Sequence, residues 1–233
     1  LKGKKILQKA QVIIYAGSLI NPALLEGLKA ELYDSSGMKL EEIVDVMKKA
    51  VSQGKNVVRL HSGDISFYSA ISEQIEVLRK EGIPYEVVPG VSSLSAGAAV
   101  LGQELTIPEI SQTVIITRAG GRTPVPERQS LELLAKHRAT MVLFLSASLA
   151  DRVQEALLKG GYPEETPVAI VVKASWPEQR VIRCRLSELA KVVEEEGIKR
   201  SALIFVGDAL RASEVSLGKR SHLYGRWQDE RRT

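Results

Sequence analysis

Cysteine is almost absent from this sequence. The 233 residues include one cysteine, Cys184, and three histidines. A single cysteine excludes an internal disulfide framework and a cysteine-rich zinc site, and it favours a reducing compartment. We therefore expect no metal site on the protein and a cytoplasmic location.

Aromatic residues and long apolar runs are also scarce. Phe, Trp and Tyr make up 5% of the chain, which argues against a surface that stacks nucleic-acid bases. No apolar run approaches the roughly 18 residues that would indicate a membrane span. The sequence therefore predicts neither a nucleic-acid partner nor a membrane partner.

Charge is unevenly distributed along the chain. The net charge is +4, and residues 211–233 carry six basic and three acidic side chains. Residues 1–210 therefore carry a net charge of only +1. A basic terminus is more often a solvated segment than a nucleic-acid arm, so we interpret residues 211–233 as a basic tail.

Three widespread catalytic and nucleotide-binding motifs are missing. The chain has no G-x-x-x-x-G-K-[ST] loop, no G-x-S-x-G elbow and no G-x-G-x-x-G fingerprint. These absences disfavour P-loop nucleotide hydrolysis, α/β-hydrolase chemistry and standard dinucleotide binding. Apolar residues at 44% and charged residues at 26% are nevertheless close to the average of globular proteins.

What the sequence does have is a regular alternation of apolar strands and helical segments. We predict strands at 12–15, 56–60, 85–88, 113–117, 140–145, 168–172, 180–185 and 202–206, separated by helices that include 2–10, 40–53, 67–79, 92–101 and 148–159. This order predicts an α/β fold with mostly parallel sheets.

The segment 106–112 is the best candidate for a domain boundary, because it contains a proline and has weak periodicity. We therefore predict an N-terminal α/β domain at 1–112 and a C-terminal α/β domain, with the basic tail, at 113–233. An α/β domain usually opens with a strand, whereas this chain begins with Leu1 inside a predicted helix. We expect that an upstream strand and loop belong to the natural protein.

Three loops after predicted strands carry side chains suited to ligand binding. The first is His61-Ser-Gly-Asp64, at a strand end where α/β sheets usually bind ligands. Gly63 lets the backbone approach a ligand, and Asp64 can accept hydrogen bonds. An ordinary helix-capping turn explains this tetrapeptide at least as well.

The second loop is Val88-Pro-Gly-Val-Ser-Ser93, before a predicted helix whose free N–H groups favour an anion. Alternatively, Ser92 simply caps that helix.

The third loop is 117–126, in which Arg118 and Arg122 flank two glycines. Arginine forks match carboxylates and phosphates, and two prolines constrain the loop, although a plain surface loop is the alternative.

In this order and spacing, these segments resemble the tetrapyrrole methylase family, the class III S-adenosylmethionine methyltransferases. Gly63-Asp64 followed by Tyr68 resembles the family's Gly-Asp-Pro-x-x-Tyr/Phe segment, with Ile65 in place of the proline. Val88–Ser93 resembles its Pro-Gly-(Val/Ile)-(Thr/Ser)-(Ser/Ala) turn, and Ala174-Ser-Trp-Pro-Glu178 resembles its late Ala/Gly-Thr-x-Pro-x segment.

The resemblance implies a homodimer of two α/β domains, with S-adenosylmethionine bound in the cleft between them and a methyl group transferred to a ring carbon of a tetrapyrrole. It implies that the cofactor contacts Gly63, Asp64, Ser66, Ser92, Ser93, Leu145 and Ala174. We expect His61, Tyr68, Arg118 and Arg122 to bind the tetrapyrrole, whose carboxylates suit the two arginines.

Some questions stay open at this stage. No residue is identified as the base that takes up a proton, and His61 and Tyr68 are only candidates. The tetrapyrrole could carry cobalt or no metal. Relatives with this fold methylate ribosomal RNA or a modified histidine, and a non-catalytic S-adenosylmethionine-binding regulator is a further alternative. The net charge of +1 over residues 1–210 disfavours RNA.

Overall fold

A computed structural model describes residues 1–213 of the chain. These residues form two compact units, Leu1–Ser93 and a second unit that begins at Leu94. Each unit contains its own β-sheet covered by helices, so the predicted α/β class is confirmed. In the described part of the chain, no helix combines the length and the apolar character needed to cross a bilayer.

The first unit contains a parallel sheet of three strands in the order β2-β1-β3. The strands are β1 (Val12–Tyr15), β2 (Glu31–Asp34) and β3 (Val57–Leu60), and the helices are α1 (Lys2–Lys9), α2 (Leu40–Ser52) and α3 (Ile71–Lys80). One face of α2 presents Ile43, Met47 and Ala50 to Val12 and Ile14 of the sheet. This helical spacing of apolar residues is the reason that α2 packs on β1.

The second unit contains a mixed sheet of five strands in the order β4-β5-β8-β6-β7. The strands are β4 (Val114–Arg118), β5 (Thr140–Phe144), β6 (Pro167–Val172), β7 (Arg180–Arg185) and β8 (Ala202–Val206). Of the four pairings, β4 with β5 is parallel and the other three are antiparallel. Because β8 is antiparallel to both β5 and β6, these two strands run in the same direction, as does β4. The carboxyl ends of β4, β5 and β6 therefore lie at the same end of the sheet.

The two faces of this sheet support separate apolar cores. Ile204 and its neighbours pack on α5 (Leu131–Ala135), α6 (Ala150–Lys159) and α7 (Leu189–Glu195). On the other face, Phe205 contacts α4 (Ser93–Leu101), which supplies Leu101 and Gly97. A Cβ on Gly97 would lie only 2.7 Å from the Phe205 ring. The small residues of α4 therefore permit a close approach of this helix to the sheet.

Two local predictions were wrong, and one strand was not predicted. Residues 85–88 form no strand, because Tyr85 and Val87 are 40% and 46% exposed and bury no apolar face. The helix predicted at 67–79 begins at Ile71, since Tyr68 and Ala70 adopt left-handed φ angles of 54° and 53°. The strand β2 was not predicted; it is short, largely exposed and lies at the edge of its sheet.

The compact units divide at Ser93 because α4 packs on the second sheet. The domains at 1–112 and 113–233 stay a prediction. The predicted basic tail lies outside the described residues from position 214 onward.

Candidate functional site

The first group of predicted residues lies at the end of the parallel sheet that holds the carboxyl ends of its strands. Leu60, the last residue of β3, is paired with Tyr15, the last residue of β1. The loop that contains His61 and Gly63 follows directly. Its position is the one at which open α/β sheets bind ligands.

Two predicted loops contact each other at this edge. Gly63 has a φ of +66°, and a Cβ placed on it would lie 3.7 Å from the Ser93 nitrogen and the Val91 oxygen. A Cβ on Gly90 would overlap the carbonyl oxygen of Gly63 and lie 3.1 Å from its carbonyl carbon. The two backbones approach so closely that only glycine fits at position 90. Gly90 was not among the predicted site residues, although the Pro-Gly turn was the signal for it.

Asp64 ties the same two loops together through its carboxylate. The Ser66 backbone N–H donates a hydrogen bond to Asp64 Oδ1 at 2.8 Å. The Ser66 hydroxyl, its N–H and the N–H of Gly90 together lower the pKa of Asp64. The carboxylate therefore stays ionised at the loop surface. Asp64 and Ser66 lie together as predicted, and their contacts to a cofactor stay a prediction.

His61 is a neutral imidazole at ordinary pH. Burial, together with the positive charge of Arg59, lowers the pKa of His61 to about 4. Its Nε2 is buried and has no hydrogen-bond partner among residues 1–213. Arg59 is fixed by bonds to Gln74 Oε1 at 3.2 Å and to the Ile14 carbonyl at 3.1 Å. His61 can thus accept a hydrogen bond from a ligand, but it is a weak base.

The remaining predicted residues of the first unit are near the loops already described. Ser92 is buried directly before α4, and Ser93 is the first residue of that helix. Tyr68 is exposed in the loop that precedes α3. The roles of these three side chains stay predictions.

The second group of predicted residues lies at the end of the mixed sheet that holds the carboxyl ends of β4, β5 and β6. Arg118 ends β4, Leu145 follows β5, and Ala174 lies two residues beyond β6. Leu145 has a φ of 52° and is 68% exposed. A left-handed leucine is strained, and exposing its apolar side chain is unfavourable in water. Such a residue is suited to contact an apolar ligand surface.

The arginine loop (residues 118–126) is fixed at its base. The Arg118 guanidinium donates to the carbonyls of Ala119, Thr123 and Pro124 at 3.3, 2.9 and 3.0 Å. Arg122 is exposed, and its side chain has no partner within the described residues. The two arginines, which look equivalent in the sequence, therefore have different environments.

Ser146 connects the arginine loop to the end of β5. The Ala119 N–H donates to Ser146 Oγ at 2.8 Å, and that hydroxyl donates to the Phe144 carbonyl at 2.6 Å. Ser146 is fully buried and adjoins Leu145. Sequence reasoning missed Ser146, because a serine after a strand has many ordinary explanations. The hydroxyl places a predicted substrate loop beside a predicted cofactor contact.

Two compact α/β units, with polar loops at the carboxyl ends of their strands, define an α/β protein of the kind that binds small molecules at these loops. Residues 1–190 match the family model of the Tetrapyrrole (Corrin/Porphyrin) Methylases. The chain belongs to this family, and the resemblance found in the sequence is confirmed.

The chain is also similar to individual proteins over nearly its whole length. It is 56% identical to the cobalt-precorrin-4 C(11)-methyltransferase of Methanocaldococcus jannaschii, covering 94% of this chain and 85% of that protein. It is 44% identical to the precorrin-4 C(11)-methyltransferase of Pseudomonas aeruginosa, covering 96% and 92%.

Solved structures share the fold. A cobalt precorrin-4 methyltransferase matches with a TM-score of 0.88 and 45% identity, covering 90% of this chain and 89% of that one. A uroporphyrin-III C-methyltransferase from Thermus thermophilus, complexed with S-adenosyl homocysteine, matches with a TM-score of 0.76 and 27% identity, covering 91% of each chain.

The residues present fit a bound sulfonium nucleoside. Gly63 and Gly90 are exposed and carry no side chains, and ionised Asp64 beside them suits an ammonium group. Within residues 1–213, no three His, Cys, Asp or Glu side chains are grouped closely enough to hold a metal ion.

Proposed function

We propose that this protein is a cobalt-precorrin-4 C(11)-methyltransferase, an enzyme that methylates ring carbon 11 of a tetrapyrrole during cobalamin biosynthesis. The observation that carries this proposal is the 56% identity to the Methanocaldococcus jannaschii enzyme over 94% of this chain.

S-adenosylmethionine is the methyl donor in this proposal. When bound, it supplies a methyl group already activated by a positively charged sulfur. Gly63, Asp64 and Ser66 hold its amino-acid part, and Ser92 and Ser93 line the same pocket. Leu145 and Ala174 contact its adenosine. The complex of a 27% identical relative with S-adenosyl homocysteine supports S-adenosylmethionine as the methyl donor.

The protein's own task is alignment and the exclusion of water. A good leaving group needs little further activation, so holding two reactants in line supplies most of the rate. The arginine loop binds substrate carboxylates, and Tyr68 and His61 contact the macrocycle. His61 is the stronger candidate for a hydrogen-bond acceptor, because its buried Nε2 has no partner within residues 1–213. Cobalt enters as part of the substrate.

The cobalt-bearing tetrapyrrole is favoured over the metal-free one. The identity to the cobalt-precorrin-4 enzyme is 56%, whereas the identity to the Pseudomonas aeruginosa precorrin-4 enzyme is 44%. Metal-free precorrin-4 remains the second candidate substrate.

We also propose that the enzyme is a cytoplasmic homodimer, on the basis of family resemblance and the single cysteine. Light scattering at micromolar concentration tests the assembly. A mass twice that of the 25.5 kDa chain supports the dimer, and a monomer refutes it.

A labelled-methyl assay tests the proposed activity against its alternatives. We expect label from S-adenosylmethionine in the tetrapyrrole and none in ribosomal RNA. A non-catalytic regulator would bind S-adenosylmethionine without even a single turnover. Label in RNA, or binding without transfer, would each refute the proposal.

A further inference from the structure

The guanidinium of Arg118 is already engaged by its own loop. It donates to the Ala119 carbonyl at 3.3 Å, to Thr123 at 2.9 Å and to Pro124 at 3.0 Å. These acceptors stand one, five and six residues further along the chain. The side chain therefore connects the end of β4 to residues 123 and 124 on the other side of the loop, and these hydrogen bonds close the loop.

Other contacts fix the two sides of the arginine loop. Buried Ala119 donates its N–H to Ser146 Oγ at 2.8 Å. A Cβ on Gly121 would lie 3.5 Å from Leu149 Cδ1, so the loop backbone lies against the segment after β5. Pro124 has a restricted φ of its own and restricts the preceding Thr123. The backbone of the loop is thus fixed before any ligand binds.

Arg122 is the side chain that this backbone presents. It immediately precedes Thr123, whose carbonyl Arg118 holds. Its own side chain is exposed and has no partner within residues 1–213. All five N–H donors of Arg122 are available for a carboxylate, whereas three of those of Arg118 are used on carbonyls. A fixed backbone reduces the ordering cost of binding.

We infer that Arg118 is a positioning residue, and that Arg122 is the arginine of this pair that binds the substrate carboxylate. Arg118 acts by closing the arginine loop, so that Arg122 is held where a two-pronged contact can form. This inference rests on the proposed function, since it names which side chain of that site recognises the tetrapyrrole.

A double-mutant cycle in the full chain tests this division of roles. Arg122→Ala removes a charge-assisted contact and should raise the KM for the tetrapyrrole about 10-fold. Arg118→Ala should raise it by a similar factor, because Arg122 is no longer held in place. If Arg118 acts through Arg122, the double variant should also show a rise of about 10-fold. A rise of about 100-fold would mean that both arginines bind substrate independently, and would overturn the inference.

Conservative variants and cofactor kinetics separate positioning from general damage. Arg122→Lys should recover part of the lost KM, because an ammonium still attracts a carboxylate. Arg118→Lys should recover little, since one ammonium on a flexible stem does not reproduce a planar fork that spans three carbonyls. The KM for S-adenosylmethionine should stay within twofold in all variants. An equal rise in both KM values would contradict the inference. Arg128→Ala, which removes one exposed charge near the loop, is the matched control.

Limited trypsin digestion supplies a readout that needs no substrate. The bond between Arg122 and Thr123 should be cleaved about 10-fold faster in Arg118→Ala, because cleavage requires local opening of the loop. Arg128→Ala should be cleaved at this bond as slowly as the unaltered protein. Unchanged cleavage in Arg118→Ala would overturn the inference, even with an active enzyme. If Arg118→Ala does not fold, Arg118→Gln replaces it, with the same expected and contrary results.

The failure of the proposed function gives a different pattern. In that case the unaltered protein methylates no tetrapyrrole, while trypsin still reports whether Arg118 closes the loop. The two ideas can therefore fail separately.

Discussion

Replacing Gly90 with alanine tests the contact between the two loops at the edge of the first sheet. A Cβ at this position would overlap the Gly63 carbonyl oxygen and lie 3.1 Å from the carbonyl carbon. Both atoms belong to the backbone, so no side-chain rotation can relieve the overlap. The loops must move apart, and this movement also weakens the hydrogen bond from the Gly90 N–H to Asp64.

The size of the effect follows from overpacking. One inserted methyl group in a tight site costs about 1–3 kcal/mol, and a backbone neighbour favours the upper part of that range. We therefore expect Gly90→Ala to lower the free energy of unfolding by about 2–3 kcal/mol. If these loops hold S-adenosylmethionine, its affinity should fall at least about 10-fold, since that factor corresponds to about 1.4 kcal/mol.

Chemical denaturation and titration calorimetry measure these two quantities. Gly37→Ala is the matched control in the same unit, because a Cβ there meets no atom within 4 Å and its φ is not left-handed. It should change neither stability nor affinity appreciably. A Gly90→Ala protein with unchanged stability and unchanged S-adenosylmethionine affinity would refute the reasoning about the loop contact.

Three further changes have expected outcomes. Ser146→Ala leaves the buried Ala119 N–H without its acceptor, so denaturation should show a loss of about 1–3 kcal/mol; a change below 0.5 kcal/mol, roughly the least expected for a lost hydrogen bond, would contradict this. His61 has its pKa lowered to about 4, so its contribution to stability is complete above pH 6.5 and is lost as the pH falls towards 4. Between pH 6.5 and 4, the stability of His61→Gln in urea melts should fall less steeply than that of the unaltered protein. Parallel pH profiles of the two proteins would contradict this prediction. Gly97→Ala places a methyl group 2.7 Å from the Phe205 ring and should lower the melting temperature, whereas an unchanged melt would show that α4 has room to shift.

The alternation of apolar runs and helical periodicity predicted most of the fold. Strands such as Arg180–Arg185 and Ala202–Val206 form with the predicted bounds. Strand β2 escaped prediction, because Glu31-Leu-Tyr-Asp34 is a largely exposed edge strand with an acid at each end. The direction of β8 could not be predicted either, since a fully buried strand has the same apolar pattern in either orientation.

The sequence indicated which residue types form the site, but it did not indicate which of these residues contact each other. Strand–loop positions pointed to Gly63 and Asp64, but the contact of Gly63 with Gly90 joins segments distant in the chain. Periodicity carries no information about such pairs. Arg118 and Arg122 are chemically identical, and only the carbonyls around Arg118 distinguish them.

The most direct test of the proposed activity is the fate of a ¹³C-labelled methyl group of S-adenosylmethionine. The purified protein is incubated with cobalt-precorrin-4 and, separately, with metal-free precorrin-4, and the product is followed by NMR. We predict a new methyl signal on ring carbon 11, with a higher kcat/KM for the cobalt-bearing substrate. A methyl group on another ring carbon, or no transfer to either tetrapyrrole, would contradict the assignment of this protein as a cobalt-precorrin-4 C(11)-methyltransferase.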